Sequence, residues 1–205
     1  MPVPRLQHRY NLKSGVEKQE LVNNQITYKD VFSLSYLYKL MHEWVVDNGY
    51  ASSSDDKFNE VFFLQKDNPA TGKEYWFRWR LGKEPEGGSK LFKYEIDIDV
   101  HVLGLKEVEV TQQNKRFKAD KGEVEISVIG NLIIDPETAW ESHPILKSYK
   151  QFILYRLLKK KLEGHQAQAV KDTERFLDAV KTYLQLPTYL KEKELGEFWA
   201  KKTQE

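Results

Sequence analysis

The chain of 205 residues contains no cysteine. This absence excludes disulfide bonds, thiolate metal sites and a cysteine nucleophile, and it fits a reducing compartment. No apolar run approaches the roughly 20 residues that cross a bilayer as a helix. The first ten residues, MPVPRLQHRY, lack the apolar core of a signal peptide. We therefore expect a soluble, cytoplasmic protein.

Recognisable signatures of catalysis are missing as well. The sequence has no Gly-x-Ser-x-Gly elbow and no HExxH zinc motif. The turn at residues 86–89, EGGS, has too few glycines to cradle a phosphate group. We predict no cofactor and no catalytic residue, so enzymatic activity is the less favoured interpretation.

Charge is nearly balanced overall but unevenly distributed, with a formal net charge of +1. Residues 83–135 hold 8 Lys and Arg against 11 Asp and Glu, a net of −3, whereas residues 136–205 hold 13 against 10, a net of +3. Neither excess is large enough to require nucleic acid as a partner. Opposite charges on two parts of one chain would suit self-association.

The clearest pattern in the chain is the stretch from Phe92 to Leu103, which reads FKYEIDIDVHVL. Apolar residues occupy alternate positions, and the positions between them are charged up to His101. Such alternation predicts a strand with one buried and one wet face, which is typical of antiparallel sheets.

Further strands are predicted on both sides of this central one. They cover residues 61–66, 73–81, 107–111 and 122–129. We therefore expect an α+β fold with a single antiparallel sheet of about five strands, arranged as a meander. The register of the hairpin that leads into the central strand can also be predicted. A turn centred on residues 86–87 places Trp79 opposite Tyr94 and Arg78 opposite Glu95.

Helical periodicity flanks the predicted sheet. Residues 31–48 show an apolar stripe at helical spacing, which predicts one N-terminal helix. Residues 145–163 and 166–185 show broader apolar faces, and Gly164 between them would allow a tight reversal. A C-terminal αα-hairpin packed on the sheet is therefore predicted.

These elements divide the chain into four parts. Residues 1–29 form an arm that can be flexible, in which residues 25–28 could be a short strand. Residues 30–135 carry the helix and the sheet, residues 136–186 the helical hairpin on the same domain, and residues 187–205 a tail.

Three side chains on the polar face of the central strand form the first candidate site: Asp97, Asp99 and His101. Alternate positions on a strand lie about 7 Å apart. Two carboxylates and an imidazole suit Mn, Fe or Zn, and one carboxylate could serve as a general base. The favoured alternative is a solvated charged face on which Arg78 pairs with these carboxylates.

A basic helix face forms the second candidate site. Tyr149, Phe152 and Tyr155 are interleaved with six cations, which are Lys147, Lys150, Arg156, Lys159, Lys160 and Lys161. This face would bind an anionic membrane surface, nucleic acid or an acidic protein. The alternative is an ordinary amphipathic helix whose last cations stabilise its C-terminal end.

Large aromatic side chains supply further candidate contacts. Trp76 lies next to Arg78 on the predicted polar face, and the tail carries Phe198 and Trp199. An outward tryptophan beside an arginine suggests either a partner contact or a face that the C-terminal helices cover. The second explanation is the more economical, because two helical units must be placed on two sheet faces. We count all four residues among the predicted partner-binding residues.

Three phrases of the sequence resemble a family of uncharacterised hypothetical proteins from archaeal genomes. They are EWVVDNGY at 43–50, YEIDIDVHVLGLKEVEV at 94–110 and KGEVEISV at 121–128. The resemblance covers about residues 30–190, and it implies no activity, cofactor or catalytic residue.

These observations favour a non-enzymatic interaction or structural protein. Its expected partner is another protein or a second copy of itself, giving a homo-oligomer, while an anionic membrane surface or nucleic acid remains an alternative. The competing hypothesis is a metal-dependent or small-ligand-binding protein that uses the polar face of the central strand.

Overall fold

A computed structural model describes residues 16–52, 54, 58–87, 90–112 and 115–185. Across these residues, five strands and three α-helices are present. The strands are β1 (Glu17–Phe32), β2 (Glu60–Asn68), β3 (Gly72–Lys83), β4 (Phe92–Gln112) and β5 (Lys115–Ile134). The helices are α1 (Leu34–Asp47), α2 (Pro144–Phe152) and α3 (Lys159–Gln185), and a π-helical turn, Ile153–Leu157, joins α2 to α3.

All five strands belong to one antiparallel sheet in the order β1-β5-β4-β3-β2, which confirms the predicted α+β fold. Strands β2 to β5 form the meander, in which each strand pairs with the next one along the chain. Strand β1 pairs with β5, so β1 and β2 are the two edge strands.

The five strands are not the five that the sequence predicts. Four strands, rather than five, lie between Glu60 and Ile134 in the described residues. Strand β4 continues through Gly104, where φ is +62° and its register with β5 shifts, so the segments 92–103 and 107–111 form one strand. The fifth strand is β1, whose residues 17–29 belong to the sheet and not to an arm.

The register of the hairpin between β3 and β4 also differs from the prediction. Trp79 pairs with Ile98 rather than with Tyr94, and Arg78 pairs with Asp99. The shift along β4 is four residues (98 − 94 = 4). Because this number is even, every side chain keeps its predicted face. The alternation therefore determines the face of each residue but not its partner.

Helix α1 connects the two edges of the sheet. It begins after Ser33, whose hydroxyl accepts a hydrogen bond from the Tyr36 backbone N–H at 3.4 Å. It ends at Asn48 and Gly49, where the glycine adopts a φ of +75°. Because the chain leaves from β1 and returns at β2, α1 must pass over the sheet, and it buries Leu37, Met41 and Val45.

Helices α1 and α3 pack on the same face of the sheet and on each other. The ring of Trp79, which is fully buried, lies 5.1 Å from the ring of Tyr38 on α1. Trp44 on α1 meets Phe176 on α3 at a ring distance of 5.2 Å. The apolar side chains of both helices and of β3, β4 and β5 thus form one core.

Helix α3 approaches β5 closely on this apolar face. A Cβ added at Gly130 would lie only 2.3 Å from Thr173 Oγ1, so glycine is what permits this approach. The C-terminal helix therefore covers the apolar face. It does not cover the face that carries Trp76, so the more economical explanation for that residue is wrong.

The helical region predicted from residue 136 begins later, at Pro144. Residues 135–142 form turns instead. The Asp135 carboxylate accepts hydrogen bonds from the backbone N–H groups of Trp140 and Glu141, at 3.0 and 3.2 Å. These side-chain bonds to the backbone offer the chain an alternative to the helix.

The predicted reversal at Gly164 is wrong. Helix α3 runs without interruption from Lys159 to Gln185. The break lies earlier, at Leu158, where φ is −101° and ψ is 12° directly after the π turn.

Replacing Gly164 by alanine tests the continuity of α3. Glycine inside a helix is about 0.5–1 kcal/mol less favourable than alanine, and a Cβ added here meets no neighbouring group within 4 Å. We expect Gly164→Ala to raise the free energy of unfolding by about that amount in urea titrations. If Gly164 reversed the chain in a left-handed conformation, the same change would destabilise the protein.

Gly130→Ala is the matched control, because its new Cβ would collide with Thr173. We expect it to lower the free energy of unfolding by about 1–3 kcal/mol, as overpacking of a core does.

Candidate functional site

The polar face of the sheet carries the first candidate site, on the side opposite the helices. Cross-strand pairing sets Trp76 beside His101, Arg78 beside Asp99 and Arg80 beside Asp97. The face therefore brings the three predicted metal ligands next to cations and to an aromatic ring.

The carboxylates of this face are held by cations. Asp99 Oδ1 lies 2.8 Å from both Arg78 Nε and Arg80 Nη1. Asp97 pairs with Arg80 at 3.5 Å and with Lys18 of β1 at 3.2 Å. The pairing of Arg78 with a central-strand carboxylate agrees with the favoured alternative from the sequence, although the partner is Asp99.

Glu95 extends this network into a more buried position. Its side chain is only 9% exposed and accepts a hydrogen bond from Lys18 Nζ. Burial raises the pKa of Glu95, and the hydrogen bond to Lys18 acts in the opposite direction. Lys18 therefore offsets the cost of keeping this carboxylate charged inside the protein.

Trp76 and His101 stack on each other, with ring centroids 4.8 Å apart and planes 15° from parallel. Burial lowers the pKa of His101, although Glu125, whose Oε2 lies 3.9 Å from Nδ1, favours the protonated form. Burial of the ring therefore favours the neutral imidazole. Trp76 is half-buried against it and is less open to a partner than the sequence predicts.

Within the described residues, no group of three or more His, Asp or Glu side chains is arranged to hold a metal ion. Asp97 and Asp99 face guanidinium groups, so a cation there would have to displace Arg78 and Arg80 from them. The arrangement can neutralise charge on the open face of the sheet, and it connects β1, β3 and β4 across that face.

The second candidate site is the segment formed by α2, the π turn and the start of α3. Helix α2 begins at Pro144, preceded by His143, whose Nδ1 accepts a hydrogen bond from the Leu146 backbone N–H at 3.3 Å. In the π turn, the Leu158 backbone N–H donates to the Ile153 carbonyl at 2.8 Å. This i→i+5 bond brings positions five residues apart onto one side of the helix.

Five large apolar or aromatic side chains of this segment are exposed, and all but Tyr155, whose hydroxyl donates a hydrogen bond to Glu17, form what we term the apolar stripe. Their exposed fractions are 65% for Ile145, 59% for Tyr149, 55% for Phe152 and 69% for Leu157. The first three are spaced four and three residues apart, so they share one side of α2. The π turn adds position 157, which lies five residues after 152. On the sequence these residues belong to a core-facing helix, whereas in the structure Leu154 fills the core.

The predicted cations do not all reach the surface. Lys150 is buried, and its Nζ lies 3.8 Å from Asp135 Oδ2, so it lies apart from the exposed cations of the segment. Lys147 is exposed and pairs with Glu141 at 2.7 Å. The remaining cations are exposed, and these are Arg156, Lys159, Lys160 and Lys161.

Two predicted contacts, Phe198 and Trp199, lie outside the described residues. Sequence reasoning missed Ile145 and Leu157 as surface residues. The signal that could have found them is compositional, because residues 144–161 contain six cations and no acidic residue. Such an excess of positive charge is typical of a helix with a large exposed surface rather than of a buried one.

An edge strand provides a third surface. Among the described strands, β2 pairs with β3 alone, so it lies at an edge of the sheet. Three apolar side chains of β2 are exposed, at 40% for Val61, 54% for Phe63 and 45% for Leu64. An edge with exposed apolar side chains is a template for pairing with another strand.

Comparisons with known proteins add no functional information. No known protein family and no curated protein sequence matches the chain. A delta-endotoxin structure is similar over 58% of this chain and 60% of its own, with 10% identity and a TM-score of 0.33. An uncharacterized protein from Rhizobium leguminosarum is similar over 84% of this chain and 99% of its own, with 6% identity and a TM-score of 0.22. The resemblance to archaeal hypothetical proteins stays a prediction.

Removing the charge of Lys18 tests the polar network. Lys18→Met leaves the Glu95 carboxylate without its hydrogen-bonded cation, and we expect the free energy of unfolding to fall by about 1–3 kcal/mol at pH 7. The pKa of Glu95 is already raised in the folded state, and without Lys18 it rises further. The loss should therefore be largest above this pKa and should shrink as the pH falls through it, because the protonated carboxyl needs no cation.

Lys29→Met is the matched control on the same strand. Lys29 pairs with Glu123 at 3.2 Å, but its side chain is 79% exposed. We expect the free energy of unfolding to change by less than about 1 kcal/mol, because solvent screens an exposed ion pair. Equal effects of the two substitutions in urea titrations would contradict a structural role for the network.

Proposed function

We propose that this protein is a non-enzymatic binding protein that holds a macromolecular partner on the apolar stripe. The observation that carries the proposal is the exposure of Ile145, Tyr149, Phe152 and Leu157 on one continuous segment. Single exposed apolar residues are ordinary, but aligned groups of them mark sites of interaction with proteins or membranes.

The chemistry of the polar face supports a binding role over a catalytic one. Asp97 and Asp99 are neutralised by arginines, and the lowered pKa of His101 reflects burial. A general base needs a free lone pair near a substrate. Here Asp97 and Asp99 face arginine side chains, and the ring of His101 is stacked on Trp76, which suits stability better than proton transfer.

Self-association through β2 is a second candidate function, favoured by the exposed Val61, Phe63 and Leu64 on an edge strand. Two copies could align their β2 strands antiparallel about a two-fold axis and so extend the sheet. This contact would use backbone hydrogen bonds, which the apolar stripe cannot offer, because a helix satisfies its own backbone groups.

The stripe can be tested with Ile145→Ser/Phe152→Ser. We expect the unaltered protein to bind in at least one of three assays: light scattering for self-association, nucleic acid binding and vesicle binding, each at low and high salt. The variant should lose roughly tenfold or more in affinity, since each buried apolar side chain contributes about 1.5–3 kcal/mol. Both residues are exposed, so the urea midpoint should not change. A protein that is monomeric at every salt level and binds neither nucleic acid nor vesicles would contradict the proposal.

The edge strand can be tested with Phe63→Lys. Lysine on an edge strand opposes strand pairing because its charge would have to be desolvated. Sedimentation velocity should show the unaltered protein associating with concentration and the variant remaining a monomer. Ile145→Lys is the control, because it adds the same charge on the stripe and should leave pairing through β2 intact. Association that is unchanged by Phe63→Lys would show that β2 is not the interface.

A further inference from the structure

The chemistry of the apolar stripe and its cations identifies the class of partner that fits it. We propose that the segment from Pro144 to Lys161 binds the surface of an anionic lipid bilayer, with the apolar stripe entering the boundary between headgroups and acyl chains. This inference rests on the proposed function, since it names the partner of the same surface.

The charge of the segment complements such a surface. It carries six cations and no acidic residue, and five of the six are exposed. Lys147 and Lys159 have side chains that are 60% and 66% exposed even though they pair with Glu141 and Glu163. Basic clusters on amphipathic helices are attracted by the negative potential of anionic lipids. Lys150 contributes to the inner side of α2 instead, where it meets Asp135.

The apolar side chains favour a bilayer over the other anionic partners. The side chains of Ile145 and Leu157 have no polar atoms, so they cannot form hydrogen bonds with the phosphates or base edges of nucleic acid. Tyr149 has an apolar ring and a polar tip, which is the character favoured at membrane interfaces. A convex stripe of this kind needs a groove in a protein partner, whereas a fluid lipid surface accommodates it without one.

The orientation of α2 is compatible with this contact. Lys150 is buried on one side of the helix, and the side that carries Ile145, Tyr149 and Phe152 is open. The segment would therefore lie in the plane of the surface rather than cross it. No helix in the described ranges is long and apolar enough to span a membrane.

The test is co-sedimentation of the full chain with vesicles of phosphatidylcholine, with and without phosphatidylserine. We expect binding to the anionic vesicles only, and weaker binding at high salt, because screening shortens the range of the attraction. Each basic side chain near an anionic surface contributes about a fivefold gain in affinity. The variant Arg156→Glu/Lys160→Glu/Lys161→Glu should thus bind roughly a hundredfold more weakly.

Two variants serve as matched controls. Lys171→Glu/Arg175→Glu/Lys181→Glu reverses three exposed cations on the same helix α3 outside the segment, so it makes the same change in net charge. Val61→Ser/Phe63→Ser removes exposed apolar side chains from β2. Both should bind anionic vesicles nearly as well as the unaltered protein. If either control loses as much affinity as its counterpart in the segment, the lipid site is wrong.

A Phe152→Trp reporter provides a readout that does not depend on the charge variants. Its fluorescence should shift to shorter wavelength with anionic vesicles and stay unchanged with pure phosphatidylcholine. Failure to bind anionic vesicles, together with self-association or nucleic acid binding that Ile145→Ser/Phe152→Ser abolishes, would overturn the lipid partner alone. If Ile145→Ser/Phe152→Ser changes neither self-association, nor nucleic acid binding, nor vesicle binding, the proposed function is wrong as well.

Discussion

Burial of a single face of the sheet is the constraint on which the other features depend. Strand β4 alternates apolar and charged residues along 92–102, so only one of its faces can enter a core. Both long helices pack there, α1 because it must pass between the two edge strands and α3 because Gly130 admits it. In the part of the chain that the structure describes, no helix packs on the opposite face, where the charged side chains pair with one another.

The sequence predicts the face of most strand residues, since period-two alternation needs no knowledge of the partner strand. It predicts the partners less well, because a shift of four residues between β3 and β4 preserves every face. Strand β1 is hard to recognise for a different reason. Few of its residues, such as Ile26 and Phe32, pack in or against the core, and seven of its sixteen positions are polar and exposed. Its pairing with β5 depends on long-range backbone hydrogen bonds, which leave little trace in composition.

The continuity of α3 shows how packing can outweigh a local signal. Glycine favours reversal, but its cost inside a helix is only about 1 kcal/mol. The same helix buries Leu162, Ala169, Phe176 and Val180 against the core, and each large apolar side chain contributes more than that when it is buried. A reversal at Gly164 would forfeit those contacts. The π turn, by contrast, is a structural feature without a local signal, since no pattern in residues 153–157 distinguishes it from an α-helix.

The division of the segment 144–161 into an inner and an outer side has the same origin. By composition alone, six cations and many apolar residues suggest one basic face and one core face. In the structure, Lys150 is buried beside Asp135, and the four residues of the apolar stripe are exposed. Lys150, which the sequence places on the exposed basic face, is thus buried in an ion pair. The residues of the apolar stripe, which the sequence places in the core, are exposed.

The two exposed apolar surfaces also call for different partners on physical grounds. Strand β2 is an edge strand among the described strands and exposes Phe63, so the partner that suits it must supply a strand. Helix α2 has satisfied its backbone, so only its side chains can contribute, through apolar burial and through charge that salt screens. Association through β2 should thus persist at high salt, whereas contact through the stripe should weaken. That difference separates the two surfaces even when both are intact in the same molecule.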